Sequence, residues 1–254
     1  MKASLTVFLL MTTIFRGIAQ HAYFPDNGRI VYEKTVNMHA SIRSVSNNPV
    51  DLAKELDAYR QLNPQFIKKT AELFFFNQET LYIPEQASVT QTGLLQDAAV
   101  IRQPNTVYSD LNHQVRTTQK TLFEETLLLN ENMEHIKWKI TDEERTIAGY
   151  NCIRANGLLW DSVYVVAFYA EQIPISGGPE SFNGLPGMIL GLALPDEHVS
   201  WFATAIEVNV VKAGAIKPPN KGEIIQREAI SAKLAKLFPN NLLIYREMLK
   251  LFLL

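Results

Sequence analysis

The chain has a single cysteine, Cys152, among its 254 residues. One thiol excludes an internal disulfide, so stability has to come from a packed core. Nothing beside Cys152 in the sequence suggests an activated thiol, and it is expected to be buried and inert. Histidine is also sparse. The five, at positions 21, 39, 113, 135 and 198, form no pair at metal-ligand spacing. Glu134-His135 and Glu197-His198 are adjacent, and neighbours on a strand point to opposite faces. There is no Gly-x-Ser-x-Gly elbow, Walker loop or dinucleotide fingerprint, and no cofactor is expected. A formal net charge of −2 with no basic face argues against nucleic acid as a partner. The tight acidic group Asp142-Glu143-Glu144, followed by Arg145, reads as a solvated turn. Low-complexity tracts and internal repeats are absent.

Length and composition are those of a globular protein with a sizeable core. At the N-terminus, Lys2 precedes an apolar run from Leu5 to Phe15, and Arg16 then leads to the small-residue site Gly17-Ile18-Ala19-Gln20. The run is about eleven residues, short for a bilayer span, and the pattern fits a cleavable secretory signal. The expected organisation is a signal peptide over 1–20, a β-rich domain over 21–212, and a linker with a helical tail over 213–254.

Along the mature chain, alternation predicts a strand from Arg29 to about Ile42, with Ile30, Tyr32, Lys34 and Val36 on one side. Asn47-Asn48-Pro49 leads into a helix from Val50 to Leu62, with Leu52, Leu56 and Tyr59 on one face. Strands are expected over Thr70–Asn77, Thr80–Ile83, Ala98–Arg102, Asn105–Leu111 and Gln114–Phe123. Thr121 to Leu129 fits strand or helix equally. Further strands are expected over His135–Ile140, Arg145–Ala148, Cys152–Asn156, Ser162–Tyr169, Met188–Leu194 and Val199–Val211. The Gly/Pro/Lys-rich stretch from Ala213 to Lys221 is linker-like, and Glu223 to Leu237 has helical propensity. A last helix to about Leu254 would carry a wide apolar face that includes Leu242, Leu243, Tyr245, Leu249 and Phe252, a candidate tail interface. The fold class is α+β: a mainly antiparallel, curved β-sheet or partly open barrel, with a covering helix and a helical C-terminal tail.

The stretch from Ile173 to Leu190 holds three prolines and four glycines and ends in an apolar run. Glycine admits close backbone approach and proline fixes φ, so a shaped, rigid loop is expected. Glu180 is its only ionisable side chain, which makes it a poor catalytic loop and a plausible structural or docking one. Aromatic residues recur in the expected strands, including Phe75, Tyr82, Trp138, Phe168, Tyr169 and Trp201. Most are expected in the core, and the same rings could line an apolar pocket.

Gly184-Leu185-Pro186-Gly187-Met188-Ile189-Leu190 closely resembles the signature of the GLPGLI family, exported Porphyromonas-type proteins of Bacteroidota with unknown function. Ile147-Ala148-Gly149-Tyr150, Cys152 and Ala155 resemble the family's segment before the motif. Ile173-Pro174-Ile175, Gly178-Pro179 and Phe182 resemble its approach. The likeness is strongest over residues 105–208, weaker over 29–104 and absent beyond about 212. Two departures stand out: Phe168-Tyr169-Ala170 replaces a Trp-Tyr-Thr-like stretch, and Gly191 replaces an acidic residue.

The resemblance implies export to the periplasm, at the outer membrane, and association with receptors of the TonB-dependent type. The expected function is a non-enzymatic binding or scaffolding module, an accessory subunit of an outer-membrane complex. It would not be an integral membrane protein once the signal is removed. Its expected site comprises Gly184, Leu185, Pro186, Gly187, Met188, Ile189, Leu190, Ile173, Pro174, Gly178 and Pro179. The alternatives are a soluble carrier of a lipid or peptide and an exported hydrolase or metalloenzyme.

Overall fold

The computed structural model describes residues 24–45, 49–85, 105–122 and 125–237, with residues 239, 245 and 249. The expected signal peptide, the strand over Ala98–Arg102, and Leu242, Leu243 and Phe252 lie outside the described residues.

β1 runs from Asn27 to Asn37 with strictly alternating burial, and Ile30, Tyr32, Lys34 and Val36 face inward. The strand stops five residues before Ile42 because Asn37 caps a helix instead. Its side-chain oxygen accepts from the Ala40 backbone N–H at 3.3 Å, and α1 (Met38–Val45) follows. α2 (Pro49–Leu62) buries Leu56 and Tyr59 in the main core. β2 (Phe66–Phe76) and β3 (Glu79–Pro84) form a hairpin paired with β1. β4 (Thr106–Asp110), β5 (Val115–Leu122) and β6 (Glu125–Asn132) extend that side, so the ambiguous stretch over Thr121–Leu129 is a β-hairpin.

On the other side lie β7 (Lys137–Ile147), β8 (Tyr150–Leu159), β9 (Val163–Ala170), β10 (Met188–Leu194) and β11 (Val199–Val208). The two strands expected over His135–Ile140 and Arg145–Ala148 are one, β7. The acidic group expected as a turn between them sits at an irregularity between Ile140 and Glu144, and its residues are exposed. The expected helix from Glu223 starts late. Glu223–Ile224 forms β12, parallel to β6, and α3 occupies Arg227–Leu237. Gly222 makes this possible: its φ is +122°, and a Cβ there would lie 2.8 Å from the Thr126 carbonyl oxygen.

All twelve strands belong to one sheet, in the order β12-β6-β5-β4-β3-β2-β1-β11-β10-β9-β8-β7. β7 and β12 do not pair with each other, so the sheet is not closed into a barrel. Ile136, just before β7, Ile147 at its end, and Leu73 and Phe75 in β2 belong to one buried cluster. A sheet whose distant strands share one core has to curl around it. A smaller second core joins Leu127 and Leu129 of β6 to Ile225, Ile230 and Leu234, with Tyr245 and Leu249 against it.

β5, close to this second core, is polar on its inner face. Arg116, Thr118 and Lys120 are all buried there. Arg116 donates to Glu131 at 3.1 Å, and Arg227 of α3 grips the same carboxylate at 2.8 and 3.2 Å. Arg227 also lies over Trp160, 5.4 Å from the ring centroid. Removing the shared anion would leave two guanidinium groups facing each other at low exposure. Glu131→Gln is therefore expected to cost about 3 kcal/mol in urea denaturation. Wild-type stability in that variant would mean that Ile230 and Leu234 alone hold α3 in place.

Candidate functional site: a buried polar cluster beneath the Gly/Pro loop

The chain between β9 and β10 folds back over the inner face of the sheet. The Met188 N–H donates to the Ile173 carbonyl at 2.9 Å, and the Ile189 N–H donates to the Gly177 carbonyl at 2.9 Å. The Tyr32 hydroxyl, from β1, donates to the Ile189 carbonyl at 2.6 Å. The Trp138 indole donates to the Asn183 carbonyl at 2.9 Å, and the Gly184 N–H donates to Ser176 Oγ at 3.0 Å. Two glycines are required for this path. Gly184 has a φ of +96°, and a Cβ on Gly187 would lie 2.2 Å from the Ala170 carbonyl oxygen.

Of the expected site residues, Ile173, Gly178, Pro179, Leu185, Gly187, Met188, Ile189 and Leu190 are buried. Pro174, Gly184 and Pro186 are exposed. Most of the motif is thus buried against the core, while its Gly184 and Pro186, and Pro174 in the approach, stay at the surface. In the tail, Tyr245 and Leu249 pack on the second core, and the Tyr245 hydroxyl lies 2.8 Å from Ser231 Oγ.

The loop also carries a charge inward. Glu180 has a φ of +53°, which is uncommon outside glycine, and its side chain is 6% exposed. Its carboxylate lies 3.5 Å from Lys34 Nζ and accepts from Asn105 Nδ2 at 3.4 Å. Lys34 Nζ also stands 5.0 Å from the Trp201 ring centroid. The Tyr82 hydroxyl lies close to Glu180 and Trp201 without reaching hydrogen-bond geometry to either. Burial pushes the Tyr82 phenol well above its ordinary value, and the Glu180 charge adds to this. Lys120 is buried nearby. Desolvation lowers its pKa from 10.5 to about 7, opposed by Glu180 and reinforced by Arg116.

The residues gathered here are Lys34, Tyr82, Asn105, Lys120, Glu180 and Trp201; the sequence singled out Glu180 as the loop's ionisable side chain and Tyr82 and Trp201 as strand aromatics, but not their convergence. One signal was available: Lys34 shares the inward face of β1 with Ile30, Tyr32 and Val36, and a lone cation on an apolar face calls for a partner. Cys152 lies apart from this cluster, is fully buried, and burial raises its thiol to about 11. Among the described residues no group of three or more His, Cys, Asp or Glu side chains is arranged to hold a metal ion. No described helix is long and apolar enough to cross a membrane.

Residues 159–191, from the end of β8 through the loop into β10, match a family model described as Porph_ging, a protein of unknown function. The matched segment is shorter than the 105–208 stretch of the sequence resemblance, and it contains the whole motif. A comparison with curated proteins finds no match. Among solved structures, PNGF-II in a C2 crystal form is similar, with a TM-score of 0.50 at 12% identity. The similarity covers 88% of this chain and 32% of that one, so this chain spans about a third of its length. At that identity the likeness concerns the fold alone.

Two measurements check this description. A methyl group at residue 187 has no room against Ala170, so Gly187→Ala is expected to lower unfolding free energy by about 2–3 kcal/mol in urea. The second concerns pH. Between about pH 7 and 10.5 the unfolded chain keeps the Lys120 proton that the folded chain has released. Stability should therefore rise with pH in this window, by up to about 1.4 kcal/mol per unit from this group. Denaturation of wild type and Lys120→Met at pH values of about 7 and 8.5 should show the increment only in wild type.

Proposed function

We propose that this chain is a non-catalytic binding or scaffolding module of the periplasm, working at the outer membrane as an accessory subunit of a TonB-dependent-type receptor complex. One observation carries the reading: Pro174, Gly184 and Pro186 are exposed on a loop most of whose other residues are buried. Hydrogen bonds from Trp138 to the Asn183 carbonyl and from the Gly184 N–H to Ser176 fix the backbone beside them. A surface fixed before contact loses little conformational freedom on binding, which favours recognition. The groups best suited to covalent chemistry do not converge there, and Cys152 is sequestered. The rings that would line an apolar carrier's cavity, Tyr32, Phe75, Tyr82 and Phe182, are almost completely buried. The signal-like pattern expected over residues 1–20 and the family resemblance of the motif support the compartment and the kind of partner.

The test is a mild-detergent pull-down of the tagged full chain from its own cell envelope, beside a variant carrying Pro174→Glu and Pro186→Glu. Wild type is expected to recover a stoichiometric outer-membrane receptor. The variant, with unchanged melting, is expected to lose it. Recovery of wild type alone, or equal recovery by the variant, would overturn the proposal.

A further inference from the structure

The sheet ends differently on its two sides. At one end β12 is two residues long, too short to offer a template to another strand. At the other end β7 has eleven residues and pairs on one side, with β8. The strand is irregular between Ile140 and Glu144, but residues 137–140 are regular and matched one to one with residues 155–158 of β8. Among the described residues no strand pairs with the other side of this stretch. Its outward N–H and C=O groups therefore form an open template.

The side chains of this stretch divide between two faces. Trp138 lies against the Gly/Pro loop: its indole donates to the Asn183 carbonyl at 2.9 Å, and a Cβ on Gly184 would stand 3.3 Å from Nε1. Ile140, two residues on, shares that face and is 49% exposed. Lys137 and Lys139 take the opposite face, and both are exposed. Lys137 reaches Asp161 at 3.5 Å in a fully solvated contact, and Lys139 has no ion pair among the described residues. An apolar face beside the loop thus backs onto a basic one along a single free edge.

We infer that residues 137–140 of β7 receive an extended segment of a partner protein, added to the sheet as a further strand, whose side chains alternate between acidic and apolar. Its backbone takes up the open hydrogen bonds. Its acidic side chains stand across from Lys137 and Lys139, and its apolar ones cover Ile140 beside Trp138 and the exposed Gly184. A second copy of this chain fits poorly, because two β7 edges joined in one continuous sheet would set lysine opposite lysine. The inference deepens the receptor reading and rests on it for the source of the segment, since Trp138 makes the edge and the loop one continuous surface.

The test has two arms. In the first, the uniformly ¹⁵N-labelled full chain is titrated with a capped hexapeptide of alternating glutamate and valine. The backbone amide resonances of residues 137–140 are expected to shift saturably and their hydrogen exchange to slow. A peptide with lysine in place of glutamate should bind about tenfold more weakly. One N-methylated throughout, with no N–H to donate, should not bind. Ile140→Lys and Lys139→Glu, both at exposed positions, should each weaken binding of the glutamate peptide. If a variant fails to fold, the three peptides on wild type decide by themselves. No saturable shift, shifts away from β7 and the loop, equal binding of the N-methylated peptide, or a dimer joined along β7 overturns the inference. In the second arm, Ile140→Lys should lose the receptor in the envelope pull-down. A receptor that this variant still recovers overturns the inference and leaves the receptor reading standing. Peptide binding at β7 with no receptor recovered by wild type overturns the receptor reading alone.

Discussion

Lys34 and Glu180 meet inside the core from places far apart in the chain. One belongs to the first strand, and the other hangs from a loop between the ninth and tenth. Neither charge can stay buried without a counter-charge, since desolvating an isolated ion costs several kcal/mol. The loop therefore has one acceptable seat, with its carboxylate over Lys34 and Asn105. Once it is seated, Phe182, Leu185 and Ile173 cover the inner face and join the main cluster. Such a pair adds little net stability compared with an apolar one of equal shape. Its effect is on uniqueness, because a loop slipped by one residue would bury Glu180 unpaired.

How far the sequence reveals this depends on the kind of signal. Alternation is a property of neighbouring residues, so β1 is legible, including which side faces inward; β10 is legible instead as a short continuous apolar run. The dense Gly/Pro content of the loop is equally local, and its rigid shape can be read directly. Ends are harder. The Asn37 cap is invisible to a period count, because Met38 to Ile42 continues an acceptable strand pattern. β12 is only two residues long, and its partner Leu127 of β6 stands about ninety-six residues earlier in the sequence (223 − 127). The polar cluster is harder still. Its members come from six separate segments, and a single ionisable residue in a loop looks dispensable until the structure shows what stands opposite it.

The polar inner face of β5 has a consequence for the architecture. Apolar side chains there would fuse the main core to the cluster around α3. Arg116, Thr118 and Lys120 instead separate the two and need specific partners. Arg116 finds Glu131, whose carboxyl is held below its ordinary value by Arg227 and Arg116 in spite of its burial. The sheet's last two strands and α3 are thus attached through a directional charge contact as well as through Leu127, Leu129, Ile230 and Leu234. Apolar contact tolerates sliding, whereas a fork of guanidinium groups on one carboxylate fixes register.

Lys120 differs from the other buried charges because its environment does not settle its protonation. Desolvation, the largest influence, disfavours the ammonium form; Glu180 and Glu131 favour it, and Arg116 and Arg227 oppose it. Fully committed structural ion pairs keep their charge across the physiological range, as the Arg116–Glu131 contact does. A lysine left near neutrality in the interior carries a standing cost whenever it is protonated, and an apolar residue of similar length would avoid it. The same position that weakens the fold near neutral pH lies close to Glu180, beneath the Gly/Pro loop. Among the described residues, this is where the local rules of a well-packed interior are least satisfied, and such departures tend to gather at functional sites.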